Sequence, residues 1–223
     1  MRFQDAARDA RAVVYAGVQA DPLVARAAEL LADATTPERL LARAVMNGET
    51  TDPNVWRAIL PGPFSGDTDG PSRDRSEAIL EASLRVAARG DEVRSQFRGA
   101  IVEALTARLL ARRAAPADVR RERRILFDGV AAEIHPYDVT VERPSAAEAY
   151  DCKWGARGIN PEVLTQLDAA RANAASEGER LTVALVVFDL RRSCAARMAR
   201  LTPPSGKVGL VTLESLDRLA GAA

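Results

Sequence analysis

The chain has very little lysine and histidine. Only two lysines, Lys153 and Lys207, occur among its 31 basic residues, and the others are all arginine. The abundance of alanine and arginine is typical of a protein from a GC-rich genome, in which arginine replaces lysine wherever charge alone is needed. A lysine that persists therefore indicates a position that needs a compact ammonium group rather than a planar guanidinium.

The scarcity of histidine and cysteine limits the kinds of site that the chain can build. The single histidine, His135, argues against zinc sites made of several histidines, and a serine or cysteine triad would have to rely on this one residue. Cys152 and Cys194 have a spacing that fits no zinc module, so we expect free thiols. No complete P-loop occurs and no glycine-rich dinucleotide motif follows a strand, which leaves nucleotide hydrolysis and dinucleotide binding without support.

Long apolar runs and an excess of one charge are also missing. The longest apolar runs, such as LTVALVVF, are far shorter than the roughly 20 residues that span a bilayer. No charged and then apolar leader opens the chain, and we expect a cytoplasmic protein. Because 31 acidic residues balance 31 basic ones, a nucleic-acid partner would have to be held by a local patch or by bound cations.

The first third of the chain has a helical pattern. Apolar residues recur every three or four positions from Gln4 to about Leu60, which predicts three or four short helices. The following stretch PGPFSGDTDGPSRD has no period and is rich in turn residues, which is typical of a linker. The predicted organisation is a helical N-terminal region over 1–62, a linker over 63–74 and a second domain over 75–223.

The second domain begins with helices and continues with strands. Asp74 and Glu77 form a capping box for a helix that ends near Gly90, and Asp91 begins a helix that is apolar around most of its circumference. After Pro116 the pattern becomes extended. The segments RRILFDG, VAAEIHP, YDVTVER and AEAYDCKWG, each bounded by turn residues, predict consecutive strands of a meander.

Helix and strand then alternate. Asn160 is the predicted cap of a helix that starts at Pro161, and LTVALVVFD has the unbroken apolar run of a strand that is buried on both faces. A short helix from Cys194 to Leu201, a strand KVGLVT and a helix LESLDRLAG follow. This order predicts an α/β domain with a mixed central sheet flanked by helices.

The strand AEAYDCKWG carries the residues with the most chemistry. Side chains alternate along a strand, so Asp151 and Lys153 share one face while Cys152 points to the other. A short link after the preceding strand makes an antiparallel hairpin that places Asp138 beside Asp151. Two neighbouring carboxylates repel each other unless a cation lies between them, and Mg²⁺ prefers such oxygen ligands. Glu103, in the apolar helix AIVEALTARLL, is a further candidate ligand.

The arrangement resembles the PD-(D/E)XK nuclease superfamily, which includes restriction enzymes, junction resolvases and phage-defence nucleases. In that superfamily a helix glutamate, a strand aspartate and an Asp/Glu-x-Lys triplet on the next strand form the metal site. GAIVEAL supplies Glu103, YDVTV supplies Asp138, and YDCKW supplies Asp151 and Lys153, in the same order and on the same kinds of element. The chain departs from the pattern at Tyr137, which replaces the motif's proline, and in having aspartate rather than glutamate in the triplet.

The resemblance implies a restriction-endonuclease-like core and a set of roles. Asp138, Asp151 and the backbone carbonyl of Cys152 would bind Mg²⁺, for which Mn²⁺ can substitute. Lys153 would position the attacking water, and Glu103 would hold a second ion or a metal-bound water. The implied reaction is hydrolysis of a DNA phosphodiester bond, with the metal stabilising charge on the phosphate.

Three further residues are candidates for substrate contact: Arg157 in the loop after Lys153, Gln166 on the following helix and Arg124 in the cluster RRERR. Purely structural roles stay open for the site residues themselves. Asp138 could cap a turn after Pro136, Asp151 could pair with an arginine across the sheet, and Glu103 could be a solvated helix residue.

The favoured function is a Mg²⁺-dependent deoxyribonuclease, most simply an endonuclease, in bacterial restriction or phage defence. Expected partners are DNA and either a second copy of the chain or a defence-system protein bound by the N-terminal helices. One alternative is a catalytically inactive nuclease-like scaffold or nucleic-acid-binding module. Another is a ribonuclease or a repair nuclease with the same metal site.

Overall fold

A computed structural model describes residues 1–6, 10–65, 70–130, 135–144, 146–201 and 208–221. The chain packs into two compact units. The helical unit comprises Ala10–Leu105, and the sheet unit comprises Met1–Asp9 together with Thr106–Ala223. The division falls inside a single helix, between Leu105 and Thr106.

The helical unit is built from capped amphipathic helices. They are α1 (Ala10–Gln19), α2 (Pro22–Ala32), α3 (Thr36–Asn47), α4 (Pro53–Ile59), α5 (Gly70–Ala87) and the first part of α6 (Asp91–Leu110). α2 begins where the Asp21 side chain accepts a hydrogen bond from Leu23 N at 2.8 Å, and α3 begins with a capping box of Thr35 and Glu38. α5 packs against α2 and α3, with Ile79 and Leu80 fully buried.

The packing of α5 differs from the predicted organisation of the chain. A short 3₁₀ turn, Gly62–Phe64, lies in the proposed linker, and α5 begins at Gly70 rather than at Asp74. Because the apolar face of α5 is buried against other helices, the compact units divide after residue 105 and not near residue 75. The folding domains over 1–62 and 75–223 stay a prediction.

The sheet unit contains one six-stranded sheet in the order β1-β2-β3-β4-β5-β6. Its elements are β1 (Arg2–Asp5), β2 (Val119–Leu126), β3 (Tyr137–Val141), β4 (Ala147–Lys153), α7 (Pro161–Ser176), β5 (Leu181–Val187), α8 (Arg191–Met198), β6 (Gly209–Thr212) and a closing 3₁₀ helix (Leu213–Ala220). The pairs β1–β2, β2–β3 and β3–β4 are antiparallel, whereas the pairs β4–β5 and β5–β6 are parallel. The predicted α/β fold with a mixed sheet flanked by helices is confirmed.

Two local predictions need correction or lie outside the described residues. The N-terminal region is not all helical, because Arg2–Asp5 forms the edge strand β1, in which Phe3 pairs with Ile125 of β2. The predicted strand VAAEIHP falls largely on residues 131–134, which lie outside the described part of the chain. The meander is otherwise as predicted, with β2, β3 and β4 in sequence.

Helix α7 covers the sheet on the face that includes Ala149 and Leu185, and Leu164 and Leu167 pack into the same core. The helix starts as predicted, since the Asn160 side chain accepts a hydrogen bond from Val163 N at 2.9 Å. The stacked rings of Trp154 and Phe188, with centroids 5.0 Å apart, fix the end of β4 beside the end of β5. No helix within the described residues is both long and apolar enough to cross a membrane.

Candidate metal centre

The β3–β4 hairpin brings the two strand aspartates together. Val139 pairs with Tyr150 and Thr140 with Ala149, so the same antiparallel register sets Asp138 across from Asp151. The Asp138 carboxylate accepts a hydrogen bond from Cys152 N at 2.5 Å through Oδ2. Asp138 therefore bonds to the backbone of the Asp-x-Lys triplet itself and does not merely cap a turn after Pro136.

Asp151 and Lys153 form an ion pair on one face of β4, as alternation predicts. The Asp151 side chain is 11% exposed and that of Lys153 is 27% exposed. Within the described residues, Asp151 Oδ1 is closed to solvent and no hydrogen-bond donor other than the Lys153 ammonium lies near it. The alternative in which Asp151 pairs with an arginine across the sheet is not what the structure shows.

The charge state of Lys153 follows from this environment. Burial favours the neutral amine and lowers the pKa, but the attraction of Asp151 and of Asp138 outweighs burial, so the pKa of Lys153 is raised. Lys153 is thus an ammonium ion that is paired with Asp151. Such a group can orient water or neutralise charge on a phosphate.

Cys152 points to the opposite face of the sheet, as predicted from alternation. Its thiol lies 3.5 Å from the Thr106 hydroxyl, in the part of α6 that belongs to the sheet unit. The thiol therefore points away from the Asp151–Lys153 ion pair. The Cys152 carbonyl stays the predicted metal ligand.

Glu122 is a residue that sequence reasoning missed. Arg121 pairs with Val139 and Arg123 with Tyr137, which sets Glu122 across from Asp138 in the neighbouring strand. One carboxylate oxygen of Glu122 lies within 4.8 Å of one of Asp138. Glu122 also has φ = 53°, an uncommon left-handed conformation for a non-glycine residue and one found more often at functional positions.

The side chains of the sheet unit fit a hard divalent cation. Asp138 and Glu122 are half-buried carboxylates at close range, and their mutual repulsion is relieved when a cation binds both. Oxygen donors from one to three carboxylates and a carbonyl are the ligands that Mg²⁺ takes, with water at its other positions. The site thus contains one more carboxylate than the sequence predicted.

Glu103 lies in the helical unit and is only 5% exposed, which contradicts the alternative of a solvated helix residue. Its Oε1 accepts a hydrogen bond from the Tyr15 hydroxyl at 2.6 Å, and its Oε2 accepts one from Gln19 Nε2 at 2.7 Å. A Cβ at Gly99 would lie 3.0 Å from the Tyr15 hydroxyl, so this glycine leaves room for the tyrosine. The carboxylate is thus held in one orientation, and its role as a metal ligand stays a prediction.

The three predicted substrate contacts lie in different surroundings. Gln166 donates a hydrogen bond to the His135 carbonyl at 2.9 Å and so holds the segment that leads into β3. Arg124 is half-buried in β2 and pairs with Gln4 of β1. Arg157 is exposed in the 3₁₀ turn Ala156–Gly158, directly after β4. Arg157 alone is both exposed and next to the Asp-x-Lys strand in sequence.

Comparisons with known proteins give no family and only distant structural matches. No protein-family model matches the chain, and no curated protein matches it significantly. Among solved structures, protein VC1899 from Vibrio cholerae matches with a TM-score of 0.48 and 15% identity over 90% of this chain and 55% of the other. Can2 from Sulfobacillus thermosulfidooxidans, solved in complex with cyclic tetra-adenylate, matches with a TM-score of 0.39 and 16% identity over 85% and 53%.

The chain therefore spans about half the length of these two structures. With TM-scores of 0.48 and 0.39 and identities of 15% and 16%, neither match supports a conclusion about function.

Proposed function

We propose that the chain is a metal-dependent nuclease of the PD-(D/E)XK kind that hydrolyses DNA phosphodiester bonds. The observation that carries the proposal is the hairpin that sets Asp138 across from Asp151 and bonds it to the backbone of Cys152. Lys153, one of only two lysines, lies in the same hairpin and pairs with Asp151. An acidic pair, an ammonium group and a third carboxylate are suited to metal-assisted hydrolysis of a phosphodiester.

The proposed ligands of Mg²⁺, or of Mn²⁺ in its place, are Asp138, Asp151 and the Cys152 carbonyl. Glu122 is added by its proximity to Asp138, and Glu103 remains a predicted contributor. When bound, the ion supplies Lewis-acid stabilisation of charge on the phosphate and lowers the pKa of water. The carboxylates fix the position at which these effects act.

Lys153 has a separate part in the reaction. Its ammonium group would hold the attacking water and a phosphate oxygen, while Asp151 keeps the amine in place through the ion pair. A bond would form between the water oxygen and phosphorus while the bond to the leaving oxygen breaks. The attacking water gives up one proton to solvent and the leaving oxygen gains one from solvent, so the two transfers balance. Arginine in place of Lys153 would keep the charge but not the compact shape.

The proposed substrate is DNA and the proposed setting is bacterial restriction or phage defence, with an endonucleolytic mode. A neutral chain attracts DNA only through local charge, so the cation and nearby arginines would carry the contact. A second copy of the chain would supply the second site that cleavage of both strands needs. The helical unit is the proposed place for such a copy or for another partner.

The test is an incubation of the purified protein with supercoiled plasmid, linear DNA and RNA, in Mg²⁺, in Mn²⁺ and in EDTA. We expect nicked and linear plasmid with metal only. Lys153→Ala and Asp138→Ala should each reduce the rate at least ~100-fold, the scale of loss for a group that acts in the transition state. Asp128→Asn is the matched control, because this exposed carboxylate of the same unit pairs only with Arg2 at 3.3 Å.

Each outcome decides between the candidate functions. Cleavage that persists unchanged in Lys153→Ala and Asp138→Ala contradicts the site. RNA cleavage without DNA cleavage favours the ribonuclease alternative. Absence of cleavage with every metal and substrate contradicts the proposed activity and leaves the inactive scaffold.

A further inference from the structure

A cavity of about 500 Å³ opens beside the turn that follows β4, and it is lined by arginines. Its walls are Ala156, Arg157, Ser193, Ala196, Arg197 and Arg200. Ala156 and Arg157 come from the 3₁₀ turn. Ser193, Ala196 and Arg197 belong to α8, and Arg200 lies just beyond its end. Among the described residues, no carboxylate lines the cavity.

Several other arginines of the sheet unit are paired with a carboxylate. Arg113 pairs with Glu148, Arg123 with Glu142 and Arg171 with Asp168. In the described part of the chain, by contrast, no ion pair involves Arg157, Arg197 or Arg200. In a chain with equal numbers of acidic and basic residues, three unneutralised guanidinium groups around one cavity indicate a site for an anion.

The walls of the cavity are held in place. Ala156 N donates to Asp189 Oδ2 at 3.0 Å, and Leu190 N, just before α8, donates to Asp189 Oδ1 at 2.7 Å. One buried carboxylate thus joins both walls. Arg197 Nε donates to the Ile159 carbonyl at 2.9 Å, which fixes the stem of that arginine and leaves its terminal nitrogens for a ligand.

The cavity adjoins the proposed active site. Gly158, in the turn that carries Arg157, lies against Lys153, since a Cβ there would be 3.0 Å from Cβ, Cγ and Cδ of the lysine. A strand that places one phosphate at Lys153 would therefore pass close to the turn that carries Arg157. A site for a free small anion would not have to lie next to Lys153.

We infer that the cavity binds a backbone phosphate of the nucleic-acid strand, flanking the phosphate that is cleaved. Guanidinium groups bind phosphate oxygens through paired hydrogen bonds, and the Ser193 hydroxyl can add a neutral donor. The contact reads no bases, so it fixes the strand in position without selecting a sequence. This inference rests on the proposed nuclease function and names the substrate contact of the same site.

The test measures binding separately from cleavage. A fluorescein-labelled DNA oligonucleotide is titrated with the full chain in Ca²⁺, by anisotropy, at several salt concentrations. We expect Arg200→Gln to weaken binding about 5- to 10-fold and to reduce the salt slope by roughly 0.7 to 0.9, the loss of one phosphate contact. Arg197→Lys keeps the charge but loses the bond to Ile159, and it should weaken binding less than Arg200→Gln.

The matched control is Arg192→Gln, which removes the same charge from an exposed residue of α8 outside the cavity. It should change binding less than 2-fold. Equal effects of Arg192→Gln and Arg200→Gln would overturn the inference, as would an Arg200→Gln variant that alters competition by inorganic phosphate but not oligonucleotide affinity. Thermal unfolding of each variant verifies that the fold is kept.

The binding and cleavage measurements distinguish a wrong cavity assignment from a wrong nuclease function. If Arg200→Gln binds DNA weakly but the wild-type chain cleaves nothing in Mg²⁺, the cavity is supported and the nuclease function is contradicted. If the wild-type chain cleaves DNA and Arg200→Gln binds and cleaves as well as Arg192→Gln, the function stands and the cavity assignment is wrong.

Discussion

Replacing Lys153 by methionine should destabilise the sheet unit, because it leaves Asp151 buried without its counter-ion. Removal of one partner from a buried ion pair costs about 3 to 5 kcal/mol. The Lys153 side chain is 27% exposed, so water can reach part of the vacated space and reduce the cost. We therefore expect the free energy of unfolding to fall by roughly 2 to 3 kcal/mol at neutral pH.

A double-mutant cycle separates this ion pair from the loss of packing. Asp151→Asn removes the other charge and keeps the shape of the side chain. With both substitutions no buried charge remains unpaired, so the loss should be smaller than the sum of the single losses by about 1 to 2 kcal/mol. Mg²⁺ should restore more stability to Lys153→Met than to the wild-type chain, since a cation can replace the missing ammonium group beside Asp151 and Asp138.

The assay is urea unfolding followed by tryptophan fluorescence and by circular dichroism. Trp154 stacks on Phe188 at the end of β4 and reports the sheet unit, whereas Trp56 is buried in the helical unit. Coincident fluorescence and circular-dichroism transitions would show that the two units unfold together. An unfolding free energy for Lys153→Met within about 0.5 kcal/mol of wild type, or a coupling energy near zero, would refute the reasoning.

Three other predictions concern single residues. Gly158→Ala should reduce the cleavage rate about 10-fold without a large change in the melting temperature, because its Cβ would crowd Lys153 at 3.0 Å; an unchanged single-turnover rate would contradict this. Asn160→Ala should cost about 1 kcal/mol in urea unfolding through loss of the α7 cap, and no loss would show that the cap is not needed. Although burial favours its neutral form, hydrogen bonds from Arg75, Thr35 and Ser76 lower the pKa of Glu38. Glu38→Gln should therefore lower the free energy of unfolding by about 2 kcal/mol at pH 7. This difference from the wild-type chain should shrink as the pH falls below about 4.3, and a difference that is independent of pH would contradict the assignment.

Much of the arrangement of β3 and β4 could be predicted, because it depends on alternation within each strand and on the short link between them. Alternation along AEAYDCKWG placed Asp151 and Lys153 on one face and Cys152 on the other, and the ion pair and the Cys152–Thr106 contact agree with this. The scarcity of lysine drew attention to the same strand. The short link between the strands fixed the hairpin that sets Asp138 beside Asp151.

Glu122 could not be found in the same way, because its proximity to Asp138 depends on the register of β2 against β3. That register is set by pairing across residues far apart in sequence, and a slip of one position would turn Glu122 to the other face. In the sequence Glu122 lies between two pairs of arginines, and the segment therefore indicates a basic cluster rather than a metal ligand. A carboxylate in the strand that precedes a proposed metal strand is the signal to look for.

Tertiary packing also decided the elements that sequence patterns placed differently. β1 has only four residues, mostly exposed, and exists because Phe3 and its neighbours pair with β2 more than 115 positions later. α5 was predicted as a helix, but nothing in its own periodicity shows that it packs with α2 and α3. The arginine cavity likewise depends on how α8 folds back beside the turn after β4.

The central claim is that Asp138 and its neighbouring carboxylates hold a divalent cation beside Lys153. Isothermal titration of the purified chain with Mn²⁺ at neutral pH tests it most directly. We expect saturable binding that Asp138→Asn weakens at least 10-fold and that Asp128→Asn leaves unchanged. Absence of Mn²⁺ binding, or equal binding by the wild-type chain and Asp138→Asn, would contradict the account.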